Sequence, residues 1–197
     1  MGCGKNGTFD KVPDLRQWAI LVITNKDNLV SSSLDYKKLY GSFILKWWKF
    51  FGCSNWTLVL EPIEGHGTWD GKEAFGTLPR TSEYEGLIAV LTRATIRLNR
   101  LQDFWKQVEG VSRHMSSSAG FVTSLGIGEV PWIKQATFSI WENKESLKTF
   151  AYKMREHTEV IRKTRQEKWY SEDMFVRFKI IASHGSINGI DPLQGKL

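Results

Sequence analysis

Apolar residues recur along this chain with two periods, and the switches between them mark out its elements. Leu87 to Ile96 is a β-branched, apolar run of strand length. From Arg100 to Met115 the period lengthens, with Leu101, Phe104, Trp105, Val108 and Val111 at three-to-four spacing, which predicts a helix. Phe121 to Ile127 and Gln135 to Trp141 read as two strands joined by a turn carrying Gly126, Gly128 and Pro131. Asn143 is a good N-cap for a further helix, with Glu145 near its positive end. That helix lines up Leu147, Phe150, Ala151, Met154, His157 and Ile161 and is expected to continue toward Trp169. Met174 to Ala182 closes the series as a strand.

The order over residues 85–183 is therefore β-α-β-β-α-β, the ferredoxin-like α+β arrangement of one antiparallel sheet with two helices on one face. Residues 15–84 repeat it in shortened form, as a strand from Trp18 to Thr24, an aromatic-crowded helix from Leu34 to Phe51, a strand from Trp56 to Ile63 and a Gly-rich loop from Gly65 to Gly76. They are expected as an abbreviated N-terminal ferredoxin-like half, with residues 1–14 a flexible lead-in and 184–197 a loose tail. A sheet with helices on one face leaves the other bare. Either the N-terminal half or a second copy in a homodimer would cover it, giving a duplicated or dimerised α/β barrel with a cavity at the junction.

At 197 residues the chain can bury a core roomy enough for a pocket. Its 41% apolar and 24% charged composition is that of an ordinary globular protein, and nine tryptophans suit a wide pocket, a ring-shaped ligand or a membrane-facing surface. The +6 net charge is spread along the chain, with the densest basic stretch interleaved with Glu156, Glu159 and Glu167. Without a helix-turn-helix, zinc-finger or RNP-type pattern, no nucleic-acid partner is expected. Cys3 and Cys53 are too few for a disulfide framework, so a cytoplasmic setting is expected. No apolar run reaches the ~20 residues a membrane span needs. Peripheral contact through the helix around Trp47 and Trp48 is compatible with the composition, as is its use in a core.

Candidate chemistry centres on histidine and arginine. His157 falls in the apolar stripe of its helix, so its imidazole is expected to face the sheet, either as a core histidine or as a metal ligand. His66, in a Gly-His-Gly segment, and His114, at a helix end, compete with it; His184 lies in the tail. Arg93 and Arg97, four apart on a strand, and Arg177 on the last strand are potential anion partners or solvated edge residues. Tyr152 is a potential hydrogen-bond donor, and Trp141, Phe138 and Trp169 are candidates for an apolar slot or for core packing. No Ser-His-Asp order, Walker loop, paired carboxylates or Cys/His cluster points to another reaction class.

The stretch Leu91-Thr92-Arg93-Ala94-Thr95-Ile96-Arg97, then Gly126-Ile127-Gly128-Glu129, Gln135-Ala136-Thr137-Phe138-Ser139-Ile140-Trp141, Phe150-Ala151-Tyr152, His157, Lys163-Thr164-Arg165, Trp169-Tyr170, Phe175 and Arg177-Phe178 resembles the spheroidene monooxygenase family. The resemblance covers about residues 85–183 and places the chain near the dimeric α/β-barrel proteins. It implies a haem-dependent monooxygenase, an oxidoreductase that hydroxylates a hydrophobic, carotenoid-type substrate and then forms a keto group, with an electron donor such as ferredoxin. The implied cofactor is haem b, with His157 as iron ligand and Arg93, Arg97 and Arg177 facing its propionates or the distal pocket. Arg93 and Tyr152 would act nearest the chemistry, and Trp141 and Phe138 would line the cofactor. Another haem reaction on the same scaffold, such as aldoxime dehydration, peroxidation or haem degradation, is the alternative, with a non-catalytic haem or apolar-ligand binding protein beside it.

Overall fold

A computed structural model describes residues 2–4, 12–24, 35–157 and 168–197. Its strands are β1 (Gly2–Gly4), β2 (Pro13–Trp18), β3 (Trp56–Gly67), β4 (Ile88–Ile96), β5 (Phe121–Val130), β6 (Lys134–Trp141) and β7 (Tyr170–Gly185). Its helices are α1 (Tyr36–Phe50), α2 (Leu101–Ser116) and α3 (Lys144–His157). The seven strands form one sheet in the order β2-β1-β5-β6-β4-β7-β3, antiparallel throughout. Its middle, β5-β6-β4-β7 with α2 and α3, is the ferredoxin-like unit that the period changes predict. Asn143 caps α3 as expected, its side-chain oxygen accepting from the Ser146 amide at 2.8 Å.

Strand pleat sorts the core into two layers. Ile88 and Val90 of β4 point to one side, where Trp141, Met115 of α2 and Leu147 of α3 are buried with Phe121 and Phe150 packed against them. Ala89 and Leu91 point to the other, among Ala136, Ile140, Met174, Val176, Phe178 and Ile180. That second face is covered within the chain: Trp69, Phe75 and Leu78 of the β3–β4 connection and Leu193 of the C-terminal segment pack onto it.

Several expectations are corrected. Residues 15–84 build no sheet of their own among the described residues; their strands extend the sheet of 85–183 at its two edges. The first strand of that region starts at Pro13, a position where a missing N–H costs least, and ends at Trp18, while residues 19–24 carry no strand. Within the expected lead-in, Gly2–Gly4 pairs with both β2 and β5. β3 runs four residues past Ile63 because β7 supplies partners as far as the Gly67–Met174 pair. β5 likewise continues through Gly126 and Gly128 to Val130. The expected loose tail is held down: the Asp191 carboxylate accepts from Trp56 Nε1 at 3.2 Å, Ser183 Oγ at 2.9 Å and the Leu193 amide at 2.9 Å, and Leu193 is 2% exposed.

The tail thus serves as part of the cover of the second face, which a single truncation checks. Leu193→Ala is expected to cost about 3 kcal/mol through lost burial and a residual cavity. At about 2–4 °C per kcal/mol for a chain of this size, that is a drop of roughly 6–12 °C in the thermal midpoint. A midpoint within a degree of wild type would show the tail to be loose after all.

Candidate functional site

On the helix-covered face, the cross-strand pairs Glu64–Arg177 and His66–Phe175 of β3 and β7 set charged and aromatic groups side by side. Glu64 is the centre. Its carboxylate accepts from Lys144 Nζ at 2.8 Å, from the Ser82 amide at 2.8 Å and from Arg177. Lys144 also donates to the Ser82 carbonyl and, at 3.0 Å, to Ser82 Oγ. Glu64 and Lys144 are both buried, which is tolerable because each is paired. Burial opposes ionisation of Glu64, but the Lys144, Arg177 and Ser82 donors outweigh it and hold the carboxyl below its ordinary range. It is therefore a fixed anion that accepts hydrogen bonds and holds no proton to give.

Arg177 is shared between this anion and an aromatic surface. Its guanidinium carbon lies 4.9 Å from the centre of the Phe175 ring, on which His66 also stacks at 5.7 Å. The buried Nε of Arg177 has no hydrogen-bond partner. Two cations face one carboxylate here, leaving one positive charge in excess beside an exposed imidazole.

On the opposite face lies Arg93, 0% exposed. Its Nε and Nη2 donate to the two oxygens of Glu129 at 3.0 and 2.9 Å, Nη1 to Glu172 at 2.9 Å and Nη2 to Asp70 at 2.8 Å, and Trp69 stacks 4.9 Å away. Lys134 joins through Asp70 at 2.7 Å. Glu172 in turn receives Thr68 Oγ1 at 2.7 Å and the Gly71 and Asp70 amides at 2.7 and 3.1 Å. Burial raises its pKa, yet the Gly71 amide, the Thr68 hydroxyl and Arg93 together bring it down to about 2. Gly67, at φ 86°, starts the loop that delivers these groups; a Cβ there would stand 2.1 Å from the Asp173 carbonyl oxygen.

The predicted site residues therefore divide. Arg177 and Trp141 are on the helix face, whereas Arg93 and Phe138 are on the other, so Phe138 and Trp141, three apart in β6, do not line a common slot. Four of the five Arg93 N–H donors already serve the protein's own carboxylates. Arg97 lies beyond the end of β4, exposed, with its amide donating to the Trp169 carbonyl; it does not share the strand face of Arg93. Tyr152 is 63% exposed on the outer side of α3, which removes it from the sheet. Trp169 is buried immediately before β7. His114 is exposed and bonds the Gly110 carbonyl at 2.7 Å, and His184 is exposed on β7. His157 is the last residue of α3, and its side chain lies outside the described residues, as do residues 158–167. Among the described residues no three His, Cys, Asp or Glu side chains converge as a metal cage.

Glu64 and Lys144 were not among the candidates. Glu64 follows the point where the apolar run of β3 ends, and Lys144 reads as an ordinary first-turn helix residue; only the β3–β7 register joins them to Arg177.

Similarity to known proteins covers the β-α-β-β-α-β unit and the residues that precede it. A family profile described as a domain of unknown function, DUF3291, matches residues 87–179. The chain is 31% identical over 193 residues to spheroidene monooxygenase of Cereibacter sphaeroides, covering 98% of this chain and 58% of that protein. It is 30% identical over 199 residues to spheroidene monooxygenase of Rhodobacter capsulatus, covering 100% of this chain and 80% of that protein. With spheroidene monooxygenase of Rubrivivax gelatinosus it shares 32% identity over 128 residues, 65% of this chain and 48% of that one. The chain thus spans little more than half the length of the first of these relatives.

The Arg93 cluster carries an acid-sensitive part of the stability. A carboxylate held at about 2 contributes fully above its ordinary value of 4.5, and the contribution is lost as pH falls from there through about 2. Glu172→Gln is expected to cost about 1–3 kcal/mol at neutral pH by leaving buried donors poorly matched. It should also flatten the decline of the thermal midpoint between those two pH values. A wild-type acid limb in the variant would remove Glu172 from the account.

Proposed function

We propose, from the premise that this chain belongs to the spheroidene monooxygenase family, that it is an oxygenase acting on a hydrophobic, carotenoid-type substrate with haem b as its cofactor. The observation that carries the reading is identity at the 30% level along the whole chain, over 80% of a relative so described. In this reading one atom of dioxygen enters a C–H bond to give a hydroxyl and the other leaves as water, with two electrons from a donor such as ferredoxin and two protons from solvent. A second insertion at the same carbon, followed by loss of water, gives the ketone.

The described residues fit a haem in two respects. The orphaned Nε of Arg177, in a cluster with one positive charge in excess, suits a propionate. On the same face stand an exposed imidazole, His66 on Phe175, and the helix that ends in His157. Haem, when bound, supplies the redox chemistry of oxygen activation. The chain's own part is to bind and orient: Arg177 anchors a carboxylate, Phe175 offers a ring face, and Lys144 keeps Glu64 ionised so that Arg177 stays fixed. His157 is the preferred iron ligand because it ends the helix whose Leu147 and Phe150 pack on the sheet; His66 is its rival.

Reconstitution of the purified chain with haemin decides between them. A Soret band in wild type that is lost in His157→Ala and kept in His66→Ala is expected. The reverse pattern moves the ligand to His66, and no band in wild type removes haem. Expression in lycopene- or spheroidene-producing cells should yield keto-carotenoids; unchanged pigments with haem bound would favour another haem reaction on this scaffold.

A further inference from the structure

Helix α1 has two apolar sides, and the described residues pack against only one. Ile44, Leu45 and Trp48 are half-buried, and Tyr40, whose side chain hydrogen-bonds Thr57 of β3, packs edge-on to Trp48 at 5.1 Å. The other side carries Phe43, Trp47, Phe50 and Phe51, which are 73%, 53%, 83% and 58% exposed. Their spacing of i, i+4, i+7 and i+8 makes one stripe, and their rings touch in sequence, Phe43 to Trp47 at 6.2 Å, Trp47 to Phe51 at 4.8 Å and Phe51 to Phe50 at 4.9 Å. A continuous stripe of four exposed aromatics is rare on a surface whose only neighbour is water.

The charges on the helix are all of one sign. Lys37, Lys38, Lys46 and Lys49 are exposed, and α1 contains no Asp or Glu. We infer that the Phe43–Trp47–Phe50–Phe51 stripe of α1 docks the protein on an anionic lipid bilayer surface, with the aromatic rings at the headgroup level and Lys46 and Lys49 against lipid phosphates. The chemistry is that of an interfacial helix: Trp and Phe partition to the boundary layer, and each lysine near an anionic surface adds binding. No helix among the described residues is long and apolar enough to cross a membrane, so the helix lies in the interface. Its ends are built to stop there. Gly52, at φ 59°, closes the helix with the Cys53 amide donating to the Trp48 carbonyl at 2.9 Å and the Gly52 amide to Lys49 at 3.4 Å, so Phe50 and Phe51 sit on the last turn. The inference does not depend on the oxygenase reading.

Co-sedimentation of the full chain with phosphatidylcholine vesicles, with and without phosphatidylglycerol, tests it by a readout free of activity. Wild type is expected to bind the anionic vesicles, weakly bind the neutral ones, and lose affinity as salt rises. Trp47→Ser with Phe50→Ser should weaken binding about tenfold or more. Lys46→Gln with Lys49→Gln should weaken it selectively on anionic vesicles, by about fivefold per lysine. Because these side chains are exposed, both variants should keep the wild-type thermal midpoint, and the lysine pair remains decisive if the aromatic pair does not. Wild type that ignores anionic vesicles, or variants that bind them as wild type does, would overturn the inference. So would sedimentation equilibrium showing a dimer that dissolves in Trp47→Ser with Phe50→Ser and no vesicle binding, which would make the stripe a contact between copies.

Discussion

A guanidinium buried in the middle of a sheet dictates much of what surrounds it. Arg93 cannot lose its proton, so the fold must bring anions to it, and it brings three: Glu129 from β5, Glu172 from β7 and Asp70 from the β3–β4 connection. The neighbouring carboxylates in turn hold the arginine charged still more firmly, raising its pKa despite burial. Asp70 reaches the site only because β3 ends at Gly67 in a left-handed turn, and Glu172 is gripped by the amides of that same turn. From there the connection runs across the sheet and lays Trp69, Phe75 and Leu78 on the face the helices leave bare. One charge thus ties together four segments and places the connection that covers this face.

How much of this could be read from residue order follows from which constraints are local. The β-α-β-β-α-β unit was legible because its periods are long and its signals lie within each element, as with Asn143 ahead of α3. The misplacements share a different cause. Ile20 to Ile23 look like a strand by composition, but among the described residues no neighbour offers them a ladder, whereas Gly2–Gly4, which looks like a lead-in, is paired on both sides. β3 outruns its apolar segment because β7 is sixteen residues long and continues to supply partners. Edge strands are decided by what lies beside them, and one-dimensional patterns do not record that.

The site shows the same division between what is local and what is not. Phe138 and Trp141 are three apart in a strand, so pleat alone places them on opposite faces, and the separation of Arg93 from Arg177 follows once the register is known. What no local pattern shows is the partnership of Glu64 with Lys144 and Arg177, whose positions are 80 and 113 residues away. The result is a sheet with two electrostatic centres of opposite character. On one face the anions outnumber the cations around Arg93 and the cluster is closed; on the other a cation is left over beside Phe175 and His66, and a donor is unspent. If one of the two centres receives a ligand carboxylate, charge balance selects the second.

Helix α1 extends the argument from what is satisfied to what is not. Its aromatic crowding is plain in the sequence and is equally compatible with a core; only the position of the helix, anchored to β3 through Tyr40 and Thr57, decides which rings are used. The kink at Gly41, φ 79°, lets the first turn fold back so that Tyr40 meets Trp48, and this commits the Ile44–Trp48 side to the protein. With Trp48 inward, helical geometry turns Phe43, Trp47 and Phe50 away, and Phe51, the cap residue after the last turn, is left exposed beside them. An aromatic stripe framed by lysines is arranged for a boundary between water and lipid, where both halves of such a helix are solvated by what they resemble.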